Sequence, residues 1–152
     1  MDARVVNALL KSVVETFKKA ASLEVSVGKP SIVNDLDREH SVYTVIGFTG
    51  DIKGNLVYSI DDDAGLLIVS KMMGMPYNQL DALALSAVGE LGNMVGGSLA
   101  MNLEKIGKKI TIAPPSVITG NNINVHCEGV ILCLPSKVAG KDLKIYLVIH
   151  SD

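Results

Sequence analysis

Apolar residues recur every three or four positions at the start of the chain, with charged residues between them, which is the pattern of an amphipathic helix. The stretch from Arg4 to Ala20 follows this spacing, and Asp2 is a candidate N-terminal cap. We expect the apolar face of this helix to cover a sheet.

Two stretches rich in Val, Ile, Tyr and Thr follow a break at residues 28–30. They span residues 41–49 and 53–60, and a short connection, residues 50–52, separates them. β-Branched and aromatic residues favour strands, and a short connection that contains Gly and Asp favours a hairpin. The pattern therefore predicts two antiparallel strands.

Two more helices are predicted in the middle of the chain. Three consecutive aspartates, residues 61–63, precede an apolar run that ends at Gly74. Carboxylates at a helix N-terminus are stabilised by the helix dipole, and this explains the aspartates better than a metal site does. The longest helical pattern in the sequence runs from Gln79 to about Lys108, with Gly107 near its end.

The last third of the chain returns to short apolar runs divided by Pro, Gly and Asn. These runs predict strands at residues 109–113, 124–126, 129–134 and 143–150. No internal repeat is evident. Because strands follow one another with few helices between them, the order favours an α+β fold, a largely antiparallel sheet with long helices packed on one face, over a doubly wound parallel sheet. We expect one domain, residues 1–152.

Composition and charge exclude some classes of protein and of binding partner. The chain is 48% hydrophobic and only 4% aromatic, and its formal net charge is -2. The hydrophobic content excludes disorder, and nucleic acid is not an expected partner without a basic excess or aromatic residues for stacking. Apolar runs too short to span a membrane, and an N-terminus without a secretory signal, predict a cytoplasmic protein. A protein or a small molecule remains as the partner.

Few side chains could hold a metal or act as a nucleophile. Cys127 and Cys133 are expected to be reduced core thiols. His126 is adjacent to Cys127, and neighbours on a strand point to opposite faces, so the two are not expected to share an ion. A serine hydrolase built on Ser86 or Ser98 lacks a nearby base. No metal or cofactor of the chain's own is predicted.

The long helix carries the one unusual constellation. At about 100° per residue, an apolar stripe faces the sheet: Ala84, Val88, Leu91, Val95 and Leu99. The opposite face carries a different set, which comprises Ser86, Glu90, Asn93, Gly97 and Met101. Glu90 and Asn93 are neighbours on adjacent turns and are expected to point to solvent.

The glycines of this helix need an explanation, because each Gly in a helix interior costs about 0.5–1 kcal/mol relative to Ala. Gly89, Gly92 and Gly96 could permit close packing on neighbouring elements, with Glu90 and Asn93 as ordinary solvated residues. A functional interpretation is that Gly97 clears the surface for another protein's active site. An amide can hold a water in line for phosphoryl transfer, whose loose transition state depends on positioning. The sequence pattern alone leaves both interpretations open.

The stretch from Ser86 to Gly97 resembles the signature helix of the CheC, CheX and FliY family of chemotaxis phosphatases. That signature is Asp or Ser, three residues, Glu, two residues and Asn, with a Pro further along the chain. Ser86, Glu90 and Asn93 fit it in order, and Pro114 and Pro115 lie at about the expected distance. The similarity extends along most of the chain and is strongest to the CheX-type members.

The resemblance implies an activity. Family members dephosphorylate the phospho-aspartate of a CheY-type response regulator, with magnesium on the regulator. Carried over by position, Asn93 would orient the attacking water, and Glu90 would pair with a lysine of the regulator.

The resemblance also bears on assembly and on the number of sites. It implies a homodimer joined through its sheets. The first helix has no Glu-x-x-Asn in register, because Glu15 is followed three places later by Lys18, so we expect one site per chain.

An alternative is a non-catalytic adapter that docks a phosphorylated regulator on the same exposed helix. Replacement of Asn93 separates the two functions, because a phosphatase should lose its rate and an adapter should lose little.

Overall fold

The computed structural model of the chain describes residues 1–150 and contains three helices and eight strands. In chain order the elements are α1 (Ala3–Ala21), β1 (Val25–Val27), β2 (Ser31–Val33), β3 (Val42–Gly50), β4 (Gly54–Ile60), α2 (Asp62–Met73), α3 (Ala82–Glu104), β5 (Ile110–Ile112), β6 (Ser116–Thr119), β7 (Val130–Val138) and β8 (Lys141–Ile149). The three predicted helices and the predicted hairpin are present.

All eight strands form one sheet in which every pairing is antiparallel. The order across the sheet is β1-β7-β8-β4-β3-β5, with β2 also paired to β7 and β6 also paired to β3. The helices lie on one face, where they share the main apolar core with the strands. The predicted α+β fold, a largely antiparallel sheet with long helices on one face, is confirmed.

The arrangement of elements repeats within the chain, although the sequence shows no internal repeat. α1 is followed by two short strands and then by the hairpin β3–β4, and α3 is followed by two short strands and then by the hairpin β7–β8. In the sheet, β4 and β8 are central neighbours, β3 and β7 flank them, and each pair of short strands lies at an edge. The two halves share an arrangement but not a residue pattern, so the sequence did not indicate it.

Equivalent positions in the two halves differ at the predicted site. A left-handed residue follows each long helix, Ser22 with φ 50° and Gly107 with φ 84°, and a short strand starts three residues later in both halves. The fully buried stripes of the two helices match when Leu9, Val13 and Phe17 are placed opposite Val95, Leu99 and Leu103. Arg4 then lies opposite Glu90 and Asn7 opposite Asn93, and both of these α1 residues are exposed. α1 therefore carries no second copy of the Glu-Asn pair.

Some predicted element boundaries are wrong. α3 is shorter than predicted at both ends: the Asp81 carboxylate accepts the Ala84 N–H at 2.9 Å and fixes its start, and it ends at Glu104. Residues 124–126 form no strand, and Val125 packs in a loop against the sheet. β7 continues through Pro135. On one edge of β7, β2 pairs with residues before the proline and β1 with residues after it, so no strand needs an N–H from Pro135 itself.

The sheet face opposite the helices has a small apolar core of its own. It consists of Leu36, Val57, Ile131, Cys133, Tyr146 and Val148, with Val33, Val45, Val125 and Cys127 packed at its margin. Leu36 comes from the segment 34–40, which lies between β2 and β3. Both cysteines have free thiols: Cys133 is buried, as expected of a core residue, and Cys127 is half-buried. Among the helices within residues 1–150, none is long and apolar enough to cross a membrane.

Asp37 attaches this segment to the sheet. Its carboxylate accepts hydrogen bonds from the Ser59 hydroxyl at 2.7 Å and the Tyr43 hydroxyl at 3.0 Å, and Lys144 Nζ lies 3.4 Å from Oδ2. Burial by itself would raise the pKa of Asp37. The two hydrogen bonds and the charges of Lys144 and His40 outweigh it and hold the pKa below its usual value.

We therefore expect Asp37→Asn to change how stability depends on pH. As pH falls below about 4, the unfolded chain protonates this carboxyl first, and the folded chain does so only at a lower pH. The contribution of Asp37 to stability is therefore complete near pH 7 and is lost as pH falls through the folded pKa. In urea unfolding followed by circular dichroism, the variant should be less stable than wild type at pH 7, with a smaller difference at pH 3. Asp142→Asn is the control, because Asp142 and its partner Lys137 are each 63% exposed. A difference between wild type and Asp37→Asn that stays constant with pH would contradict the assignment.

Candidate active site on helix α3

The sheet-facing stripe of α3 is buried as the periodicity predicts. Ala84, Val88, Leu91, Val95 and Leu99 are all less than 5% exposed. They pack with α1, α2 and the helix-facing side of the sheet in the main core. This burial fixes which side of α3 faces outward.

Three glycines of α3 face the strands beneath it. A Cβ on Gly92 would lie 2.9 Å from Tyr58 Cε2 and 3.2 Å from Thr44 Cγ2, and one on Gly89 would lie 3.0 Å from Val117 Cγ2. At Gly96 the corresponding distance to Ile112 Cδ1 is 3.4 Å. The close-packing interpretation is correct for Gly89 and Gly92, whereas at Gly96 a Cβ would make an ordinary van der Waals contact.

Gly97 is different, because a Cβ there would meet nothing within 4 Å among the described residues. Packing therefore gives no reason for a glycine at this position, although glycine weakens a helix interior. Gly97 lies one turn beyond Asn93 on the outward side of α3. It leaves the surface beside Asn93 free of side-chain atoms.

Glu90 and Asn93 lie together on the outward side of α3. Glu90 is exposed and Asn93 is half-buried. Their spacing of three residues places their Cβ atoms roughly 5–6 Å apart. Met94 and Met101, 40% and 66% exposed, flank the gap at Gly97. The result is a short polar pair beside an open, partly apolar surface on a helix held by a buried core.

Tyr58 supports the turn that carries Asn93, and no sequence pattern identified it. Thr44 lies directly opposite Tyr58 in the register of β3 and β4, and the part of it nearest Gly92 is its methyl group. The Tyr58 hydroxyl donates a hydrogen bond of 2.9 Å to the carbonyl oxygen of Gly92. Burial raises the pKa of Tyr58 well above its ordinary value, so the hydroxyl stays protonated. A Tyr within an apolar strand gives no sequence signal for this role.

Of the two prolines in the predicted motif, Pro115 contacts the helix. Its Cγ lies 3.7 Å from the position of a Cβ on Gly89, and Pro115 is half-buried, whereas Pro114 is exposed. Pro115 therefore packs against α3 at Gly89, the residue just before Glu90. Ser86, the first motif residue, is exposed.

The other candidate side chains lie elsewhere. An open depression of about 660 Å³ is lined by Val45, Asn55, Ser116, Ile118, Val125, His126, Cys127, Glu128 and His150. Within residues 1–150 there is no group of three or more His, Cys, Asp or Glu side chains placed to hold a metal ion. Two of the histidines have neutral partners, since His40 Nδ1 lies 2.9 Å from Ser59 Oγ and His150 Nε2 lies 2.8 Å from Asn55 Oδ1.

Comparison with solved structures places this arrangement in a known class. A CheC-like superfamily protein from Shewanella sp. PV-4 superposes with a TM-score of 0.90 at 27% identity, covering 99% of this chain and 100% of that one. A CheX of Borrelia burgdorferi, solved in a CheX-CheY-BeF3-Mg²⁺ complex, shares the fold with a TM-score of 0.81 at 22% identity, covering 96% of this chain and 97% of that one. The fold is that of the CheC-like superfamily.

Sequence comparison identifies the family within this class. The family model described as chemotaxis phosphatase CheX matches residues 42–136, which include the whole of α3. A Thermotoga maritima protein named CheY-P phosphatase CheX is 50% identical over 153 residues, 99% of both chains. The chain belongs to the CheX family of chemotaxis phosphatases.

The two kinds of glycine in α3 should respond in opposite directions to alanine. Gly97→Ala adds a methyl group in open space, so the free energy of unfolding should rise by about 0.5–1 kcal/mol through helix propensity. Gly92→Ala forces a methyl group against Tyr58 and should lower it by about 1–2 kcal/mol. Urea unfolding of the two variants and wild type measures both effects. A stability loss in Gly97→Ala would show that this position has a packing role.

Proposed function

We propose that the protein hydrolyses the phospho-aspartate of a CheY-type response regulator, with Asn93 orienting the attacking water and Glu90 pairing with a lysine of the regulator. The observation that carries the proposal is the Glu90–Asn93 pair, presented outward on a rigid helix beside the open position of Gly97. The family membership and the name of the 50% identical relative support the reaction type.

The reaction breaks an acyl phosphate without covalent help from this chain. A water oxygen forms a bond to phosphorus while the bond from phosphorus to the aspartate oxygen breaks, releasing inorganic phosphate and the aspartate carboxylate. The water proton leaves to the phosphate or to solvent. Because the transition state is loose, alignment of the water with the breaking bond is the main contribution a second protein can make.

The chemistry of the two side chains fits these roles. The Asn93 amide can accept a hydrogen bond from a water and donate one, so it can hold the water in a defined orientation without removing its proton. The Glu90 carboxylate, one turn away, can form an ion pair that seats the helix on a basic active site. Neither side chain is a nucleophile in this scheme.

Magnesium and the basic residue are assigned to the regulator. The Borrelia CheX structure contains CheY, BeF3 and Mg²⁺, which supports a magnesium-loaded regulator as the partner of this protein too. We propose no metal or cofactor held by this chain. The same proposal places the reaction in the cytoplasm.

The proposal includes a homodimer joined through its sheets, as the resemblance implies. Both sheet edges consist of strands of only three or four residues. Exposed apolar side chains on two of them, Ile32 at 57% and Ile118 at 39%, are compatible with an interface.

The phosphatase proposal predicts distinct losses for the two site residues. In a discontinuous assay of acyl phosphate on a phosphorylated, magnesium-loaded CheY-type regulator, wild type should accelerate the loss. Asn93→Ala should lower the rate at saturating regulator by about 10- to 1000-fold while binding is retained, by analogy with removal of one positioning donor. Glu90→Ala should act chiefly by raising KM.

Matched controls come from exposed residues outside α3. Asn34→Ala and Glu15→Ala make the same side-chain changes in the loop before β3 and in α1, and should leave the rate unchanged. Binding of the phosphorylated regulator without acceleration by wild type would refute the phosphatase proposal and leave the adapter. Equal rates for wild type and Asn93→Ala would refute the role of Asn93.

The dimer is tested separately. Sedimentation equilibrium of the 16.1 kDa chain should give about twice that mass at micromolar concentration. Ile32→Lys and Ile118→Lys, which put charge on the edge strands, should lower the mass toward the monomer if these edges form the interface. A monomer mass for wild type at all concentrations would contradict the dimer.

A further inference from the structure

The hydrogen bond from Tyr58 to Gly92 joins the centre of the sheet to the helix turn that carries Asn93. β4 is paired on both sides, with β3 and β8, so Tyr58 lies on a strand that cannot easily move. Its side chain is 2% exposed, and its hydroxyl donates to the Gly92 carbonyl at 2.9 Å. Gly92 immediately precedes Asn93 and lies between Asn93 and Glu90 in the sequence.

The backbone of α3 does not need the hydrogen bond from Tyr58. In an α-helix the Gly92 carbonyl already accepts the N–H four residues further on, so the helix itself would be satisfied without Tyr58. The bond instead links the Gly92 turn of α3 to a central strand of the sheet. The missing side chain at Gly92 allows the contact, since a Cβ there would lie 2.9 Å from the Tyr58 ring.

A small rotation of α3 would matter at Asn93. Side-chain ends lie roughly 5–6 Å from a helix axis, so a rotation of about 10° moves an outward-facing amide by about 1 Å. A displacement of about 1 Å at a positioning group can lower a rate by up to about 100-fold. A buried hydrogen bond at the neighbouring residue is well placed to suppress such a rotation.

We propose that Tyr58 is a positioning residue for the phosphatase reaction, acting through Asn93 by fixing the turn of α3 at Gly92. The inference rests on the proposed function. It predicts that removing only the Tyr58 hydroxyl impairs alignment of the water and leaves docking of the regulator intact.

Two control variants separate positioning from loss of a buried hydroxyl. Tyr146→Phe removes a hydroxyl that accepts the Asp37 N–H at 3.1 Å on the sheet face away from the helices. Thr44→Val removes a buried hydroxyl beneath the same turn of α3, and that hydroxyl has no hydrogen-bond partner among the described residues. Neither variant removes a hydrogen bond to α3.

The experiment measures kcat and KM for wild type, Tyr58→Phe and the two controls, with phosphorylated, magnesium-loaded regulator as substrate. We expect Tyr58→Phe to lower kcat about tenfold with KM within about twofold of wild type. Tyr146→Phe and Thr44→Val should keep kcat within about twofold. In an Asn93→Ala background, Tyr58→Phe should have no further effect on the rate. A kcat for Tyr58→Phe within twofold of that for Tyr146→Phe would overturn the proposal.

A second readout needs no substrate. In ¹⁵N-resolved NMR spectra, the side-chain amide of Asn93 should shift or broaden in Tyr58→Phe and stay unchanged in Tyr146→Phe. An unchanged Asn93 amide in Tyr58→Phe would overturn the inference even if wild type proves active. Absence of phosphatase activity in wild type would refute the proposed function itself, and the two failures are therefore distinguishable.

Discussion

The candidate site depends on how closely α3 lies on the hairpin β3–β4. Gly92 allows the helix to approach Tyr58 and Thr44 so closely that a Cβ there would lie 2.9 Å from the Tyr58 ring. The apolar stripe of α3 is buried against the sheet, and the Tyr58 hydroxyl donates a hydrogen bond to the Gly92 carbonyl on the same side. The outward position of Glu90 and Asn93 is a consequence of this contact, since the same rotation that buries Leu91 and Val95 places the polar pair on the surface.

The repeated topology shows that the fold offers two places for such a helix and that this chain develops one of them. α1 occupies the place equivalent to that of α3, but when the buried stripes are matched, an arginine, Arg4, stands where α3 has Glu90. A buried hydrogen bond of 2.8 Å from Asn102 to Ser12 joins the two helices. α1 therefore helps to hold α3 in place. The first half of the chain contributes a supporting helix, and the second half contributes the helix that carries Glu90 and Asn93.

The sequence predicted the elements whose signal is long and periodic. The stripe of α3 and the two strands of the first hairpin repeat their patterns often enough to be recognised, and their register then determines most of the site. β1, β2, β5 and β6 are three or four residues long, which is too short for a period to appear, and of these four the sequence predicted β5 alone. Tyr58 could not be predicted because its role depends on three-dimensional register between strand and helix. The role of Asp37 depends on partners from distant strands.

Gly97 is a glycine on the surface of α3 whose missing side chain is not explained by packing. Gly89 and Gly92 have neighbours that an added Cβ would crowd, so packing accounts for the loss of helix propensity at these two positions. Gly97 has no such neighbour, and an alanine there would fit and stabilise the helix. A residue that weakens its own helix without a packing reason points to a requirement outside the chain, because only an approaching partner would meet the added methyl group. Gly97 lies one turn from Asn93, between exposed Met94 and Met101, which supports the proposal that a partner approaches at this surface. The open position and the polar pair are thus parts of one surface, which the sheet holds rigid from below.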